Sequence, residues 1–137
     1  FPGETDQQWQ ETLDFVKPMG FAHIHIFPFS ARRGTRAAEM ENKVEKKVIR
    51  ERVEQLQQIA RLSKLSEFER FVGREFPVLW ESSVQPIEGG WLYQGLTPNY
   101  LRVAVVVEQK TEMAGKIRAA KLTQPDLQKG WVMSVLV

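Results

Sequence analysis

The sequence predicts an α+β chain, with a helix–strand–helix piece over residues 1–66 and a small five-stranded antiparallel β-barrel over residues 67–137. Three observations carry this. Apolar residues recur at helical spacing in two stretches before residue 66. A continuous apolar run, Phe21 to Phe29, lies between those stretches. Beyond Phe71, short alternating segments follow one another closely, most with a glycine at one end.

The elements follow in order. Phe1-Pro2-Gly3-Glu4-Thr5 is a turn that leads into a helix. Thr5 and Gln8 stand three apart, as a capping box requires, and Asp6 suits the positive end of the helix dipole. Trp9, Leu13 and Val16 recur at spacings of four and three, which buries one face, and Pro18 with Gly20 ends the helix. Phe21 to Phe29 is apolar enough for a buried strand, limited at its far end by Pro28. Ser30 to Arg36 is a basic loop. A long helix is predicted from about Asn42 to near Leu65, with Val44, Val48, Val53, Leu56 and Ile59 as its apolar stripe and the other faces solvated. The five strands are expected at Gly73–Trp80, Trp91–Leu96, Tyr100–Val107, Lys116–Thr123 and Trp131–Val137, with Pro86 to Gly90 as punctuation. A barrel of this size has a small core, so closure and the preceding helix should both stabilise it.

Composition narrows the chemistry. The chain has no cysteine, which excludes disulfides, thiolate metal sites and iron–sulfur ligands within these residues. His23 and His25 would share one strand face; they fit a structural pair better than the start of a metal site, because no third ligand stands out. No apolar run approaches the length of a membrane span, and no signal peptide is visible. Net charge is +2, with 11 basic and 9 acidic residues up to Ser66 and 8 of each beyond it, so any case for nucleic acid rests on local clustering. Such a cluster lies at the end of the chain: Lys110, Lys116, Arg118, Lys121 and Lys129 face only Glu112 and Asp126. Trp91, Tyr93, Tyr100 and Trp131 could stack bases there, although Trp91 and Trp131 suit the core better; Tyr100, beside Asn99 and Arg102, is the stronger RNA candidate.

Two segments carry more. A proline–glycine turn before a capped helix presents backbone N–H groups and a carboxylate at a sheet rim, where α/β barrels bind ligands. The run ending in Phe27, Ser30, Arg32 and Thr35 would reach the same rim, and arginine offers bidentate donors to phosphate or carboxylate. Taken in order, Phe1-Pro2-Gly3-Glu4-Thr5 and His25-Ile26-Phe27-Pro28-Phe29-Ser30-Ala31-Arg32-Arg33-Gly34-Thr35-Arg36-Ala37-Ala38-Glu39-Met40 resemble the radical S-adenosylmethionine methylthiotransferases that modify tRNA. That family has an FPGET turn, an H-x-F-P-Y-S-x-R-x-G-T-x-A-A-x-M stretch, an Arg/Glu-rich helix and a C-terminal TRAM domain. Phe29 replaces the usual tyrosine, and Arg33 and Arg36 stand where proline is frequent.

The resemblance implies the C-terminal edge of a radical S-adenosylmethionine barrel with its connector helix (residues 1–66), then an OB-like TRAM barrel (residues 67–137). Gly95 to Val103 and Met113 to Ile117 look most like the threonylcarbamoyladenosine branch. The full-length parent would then convert threonylcarbamoyladenosine beside the anticodon to its 2-methylthio derivative, using S-adenosylmethionine and two iron–sulfur clusters. The fragment alone would hold neither clusters nor metal, carry no catalytic residue, and be inactive. Gly3, Glu4, Phe27 and Ser30 would line the cofactor side. Arg32 and Thr35 would lie at the substrate mouth, and Tyr100, Arg102, Lys116 and Arg118 would hold tRNA. A cytoplasmic protein with a tRNA partner and no membrane contact follows. An isolated barrel-edge strand would expose unpaired backbone groups, leaving pairing between copies, folding onto its own helices, or disorder. The rival reading is a stand-alone RNA- or protein-binding β-barrel module without enzymatic activity; a cysteine triplet encoded upstream would favour the enzyme.

Overall fold

The structure, a computed structural model, describes residues 1–137, which form two compact units, Phe1–Ser66 and Glu67–Val137. The order is helix α1 (Asp6–Val16), a 3-10 turn (Lys17–Met19), helix α2 (Arg36–Glu39), helix α3 (Lys46–Phe71), then strands β1 (Glu75–Ile87), β2 (Gly90–Leu96), β3 (Arg102–Val107), β4 (Ile117–Asp126) and β5 (Trp131–Leu136).

In the first unit, Glu4 N–H donates to Phe1 O at 3.1 Å. Pro2 and Gly3 (φ +79°) are the central residues, the arrangement of a type II turn, and the positive φ is why glycine stands third. Both halves of the capping box form: Gln8 N–H donates to Thr5 Oγ1 at 3.2 Å and Thr5 N–H to Gln8 Oε1 at 2.9 Å. Leu13 is the buried residue of α1, flanked by half-buried Trp9 and Val16. Gly20, in the left-handed region, closes the 3-10 turn.

The predicted strand Phe21–Phe29 does not form: residues 21–29 pair with no strand and take no regular structure. A strand needs a ladder partner, and this unit supplies none. The alternation of an extended chain survives, because Ile24 and Ile26 are half-buried while His23, His25 and Phe27 are exposed. His23 and His25 rings meet edge-on at 4.4 Å and His25 stacks on Phe27 at 6.3 Å, so the three share one side, as period two requires. The segment lies against its own unit, with Ser63 Oγ donating to Phe21 O at 2.6 Å.

The long helix is displaced from its expected bounds. It starts at Lys46 rather than near Asn42, because Asn42 is left-handed (φ +57°) and cannot enter a helix. It runs past Leu65 to Phe71, since no proline or glycine intervenes before Gly73 and Phe68 is buried in the barrel core with Phe71 against it. α2 begins where the expected loop ends and covers residues to which the sequence had assigned no element: Thr35 caps it by accepting from Ala38 N–H at 3.3 Å.

In the second unit the sheet closes in the order β1-β2-β3-β5-β4. Four ladders are antiparallel, but β3 and β5 run parallel, which corrects the expectation of a wholly antiparallel barrel. The reason is parity: alternating directions cannot close around an odd number of strands. β1 also continues through Pro86 to Ile87, where punctuation was expected. Beyond Leu79 it is paired on one side only, where a proline is tolerated. A bulge between Trp80 and Val84 marks where β1 leaves β4. The core is built on Val78, Trp80, Val103, Met113, Ala120 and Val132, all fully buried. Phe76 packs against them and with Val78 and Trp80 faces inward, as the alternation predicted.

Gly95 marks a close approach in this core. A Cβ there would lie 2.6 Å from Val78 Cγ1 and 2.7 Å from Leu79 O. Gly95→Ala is expected to destabilise the barrel by about 1–3 kcal/mol through overpacking, read as a lower denaturant midpoint with unchanged slope.

Candidate functional site

Each unit presents one concentration of the predicted site residues. In the first unit, a cleft of about 170 Å³ is lined by Glu4, Trp9, Ile26, Phe27, Phe29 and Arg52, among others. It brings together Glu4 and Phe27, two of the four residues expected on the cofactor side. Gly3 shapes the turn that carries Glu4, while Ser30 lies outside the cleft. Phe27 is 83% exposed, so its ring is available to a ligand.

The mouth residues behave differently from one another. The Thr35 hydroxyl is occupied within the loop, donating to Arg32 O at 2.8 Å while it accepts from Ala38 N–H. Arg32 is exposed and makes no ion pair, which leaves its guanidinium free. His23 and His25 are exposed, and no group of three His, Cys, Asp or Glu side chains is placed to hold a metal ion.

One residue of this site was missed. Arg52 was assigned to a solvated helix face but is only 7% exposed. Its Nη1 donates to Glu4 Oε2 at 2.5 Å and its Nη2 to Asp6 Oδ1 at 2.8 Å, while the Glu4 carbonyl accepts from both at 3.3 and 3.4 Å. The guanidinium also lies 5.7 Å from the Trp9 ring centroid, and Trp9 Nε1 donates to Gln55 Oε1 at 2.6 Å. The signal was present: Arg52 stands four residues from both Val48 and Leu56, inside the apolar stripe.

In the second unit, the strand registers place Arg102, Leu96, Leu79 and Ile117 in one row across β3, β2, β1 and β4. Leu79 and Ile117 are exposed, Ile117 at 68%. The Thr97–Tyr100 turn adds Pro98 and Tyr100 to the same groove. That turn is held by Tyr100 N–H donating to Thr97 O at 2.9 Å and Leu101 N–H donating to Thr97 Oγ1 at 3.0 Å. Tyr100 is 85% exposed at φ +62°, a conformation that costs a tyrosine energy and that this turn imposes. Of the four expected tRNA-binding residues, Arg102 stands in this row and Tyr100 in the groove, while Lys116 and Arg118 neighbour Ile117 along the chain, Arg118 opposite the buried Val78 and so on the other face of β4 from Ile117.

Their cations are not equally free. Lys116 Nζ donates to Glu112 Oε2 at 2.8 Å, and that bond together with the charge behind it holds the Glu112 carboxyl below the usual carboxylate range. Arg102 reaches Glu81 at 3.3 Å, whereas Arg118 makes no ion pair. The other aromatics divide. Tyr93 cannot stack a base, because it is buried, with its hydroxyl donating to Thr111 O at 2.6 Å and accepting from Thr111 N–H at 3.0 Å. Trp91 is half-buried under Lys110 Nζ, 5.0 Å from its ring centroid, and Trp131 is half-buried too. No helix is long and apolar enough to cross a membrane.

No protein-family model matches the chain. Curated relatives do. The chain is 33% identical over 122 residues to the threonylcarbamoyladenosine tRNA methylthiotransferase MtaB of Bacillus subtilis, covering 89% of this chain and 27% of that protein. It is 32% identical over 140 residues to the ribosomal protein uS12 methylthiotransferase RimO of Carboxydothermus hydrogenoformans, covering 100% and 28%. It is also 32% identical over 139 residues to the tRNA-2-methylthio-N(6)-dimethylallyladenosine synthase of Psychrobacter cryohalolentis, covering 99% and 28%. The chain thus spans less than a third of the length of these relatives, and proteins with three different substrate names match it almost equally. Similarity that runs along nearly the whole chain, added to the two motifs whose residues line the cleft and its loop, makes this chain a member of the radical S-adenosylmethionine methylthiotransferase family.

Proposed function

We propose that this chain is the carboxy-terminal part of a tRNA methylthiotransferase acting on threonylcarbamoyladenosine next to the anticodon, in which residues 67–137 hold tRNA and residues 1–66 contribute to the cofactor and substrate rim. The observation that carries the reading is the strip on the barrel. An exposed tyrosine beside exposed aliphatic side chains, with Arg102 at one end of the row, matches what unpaired bases and their phosphates need. A protein partner would be served by the apolar row alone; Arg102 within the row, and Lys116 and Arg118 next to Ile117 in the chain, favour a polyanion. The tRNA substrate places the enzyme in the cytoplasm.

The cofactors divide on the residues present. S-adenosylmethionine supplies methyl and radical chemistry in this family. The cleft fits part of it, offering aromatic faces at Phe27 and Trp9 and a carboxylate oxygen, Glu4 Oε1, that accepts no hydrogen bond from the protein. The chain's own contribution is binding and orientation: Glu4 accepts a donor, Phe27 covers an apolar face, and Arg32 meets an anionic group at the mouth. An iron–sulfur cluster does not fit any residues here, because the chain has no cysteine and no alternative ligand group. In the whole enzyme, thiols outside these residues would hold it.

Four outcomes test this reading. Residues 1–137 should bind a tRNA anticodon stem-loop with an affinity that falls steeply with salt. In that assay Tyr100→Ala should weaken binding by about 1–3 kcal/mol, the range of one lost stacking contact, with the circular dichroism spectrum unchanged. Binding that ignores salt, or an indifferent Tyr100→Ala, would remove the strip from the RNA site. Glu112→Gln should tighten binding at low salt, because it releases Lys116 and removes a negative charge, and the gain should vanish at high salt. In the full-length enzyme, Arg32→Ala should lower tRNA modification, quantified by mass spectrometry of nucleosides, without shifting the unfolding midpoint.

A further inference from the structure

We infer that Arg52 is a positioning residue: from helix α3 it fixes the Glu4 carboxylate so that Oε1 borders the aromatic cleft, ready to accept from a cationic or N–H donor of a bound ligand. This rests on the proposed reading of the Phe1–Thr5 turn as part of the cofactor rim.

The geometry argues for aim as well as adhesion. Arg52 grips Glu4 twice, at the carboxylate through Nη1 and at the backbone carbonyl through both Nη atoms. A side chain held at both ends of its length has little freedom left about its own torsions. The remaining Nη2 bond to Asp6 Oδ1 ties down the first residue of α1. Trp9, one turn further on, faces the same guanidinium and is pinned through Nε1 by Gln55, three residues after Arg52 on α3. One helix face thus sets the turn, the carboxylate and the ring wall of the cleft together.

The bonding leaves a defined remainder. Only Oε2 of Glu4 is engaged, so Oε1 keeps its accepting capacity, and Arg52 Nε is buried without a partner. A cleft with aromatic walls and one free carboxylate oxygen suits a ligand with a flat apolar part and a nearby ammonium. A lysine at position 52 would keep the charge but could not form the planar fork that spans Glu4 and Asp6 together.

The test uses the full-length enzyme and S-adenosylmethionine as probe, measured by equilibrium binding alongside thermal unfolding. The variants are E4Q, R52K, R52Q and the double variant E4Q/R52K, with D6N as a control for the ion pair that does not involve Glu4. R52Q is carried beside R52K so that loss of fold in one leaves the other. R52K is expected to weaken binding about tenfold, the scale of coupling between groups in direct contact. The double variant should bind no more weakly than E4Q alone, and D6N should bind normally. Additive losses in E4Q/R52K, or normal affinity in R52K while E4Q binds poorly, would overturn the role of Arg52 and leave the rim reading intact. Normal affinity in E4Q would instead overturn the rim reading, and the role of Arg52 with it.

Discussion

Backbone amides and carbonyls taken out of water must find partners, and the two units meet that constraint by different means. The carboxy-terminal unit meets it by closure. Each of its five strands has two neighbours along part of its length, at the single cost of one parallel ladder, which an odd ring makes unavoidable. Closure then decides which side chains face inward. Val78, Trp80, Val103 and Val132 fill the interior, and what remains outside is a surface on which strand register sets neighbours. The row from Arg102 to Ile117 is therefore a product of the ladder.

The amino-terminal unit has no sheet and relies on side chains instead. Residues 21–29 lack a ladder and are steadied by a few contacts, such as the Ser63 hydroxyl on the Phe21 carbonyl. The Phe1–Thr5 turn and α1 are anchored by one guanidinium. A charge so deeply buried would be strongly destabilising alone; with Glu4, Asp6 and the Glu4 carbonyl around it, the desolvation is offset by four contacts. This explains why a charged residue occupies the apolar stripe of α3. It also joins stability to the shape of the cleft, since Glu4, which helps offset the burial of Arg52, lines the site as well.

Features ruled by short-range chemistry were legible in advance. The Thr5–Gln8 capping box depends on residues three apart, and the glycines at turn positions follow from backbone sterics. The five strands came close to their observed places because alternation and glycine punctuation are local signals. The candidate RNA residues Tyr100, Arg102, Lys116 and Arg118 were named from charge and composition, whereas the alignment of Arg102 with exposed Leu79 and Ile117 required the registers β1–β2, β1–β4 and β2–β3. Tyr93 was named with Tyr100 as a residue able to stack bases. One is sealed in the core with its hydroxyl on Thr111, the other stands in water on a left-handed backbone.

From the sequence alone, then, came the succession of the five strands, the alternation that marks a barrel, and the two motifs that signal the family, because each is encoded by neighbours along the chain. Tertiary structure alone decided that Phe21–Phe29 is no strand, that α3 reaches Phe71, and that Arg52 is buried against Glu4. Those outcomes depend on partners far away in sequence: a missing ladder, a barrel core that receives Phe68, and carboxylates forty-odd positions upstream of the arginine they hold. Local propensity carries no information about such partners, so only the folded chain could supply them.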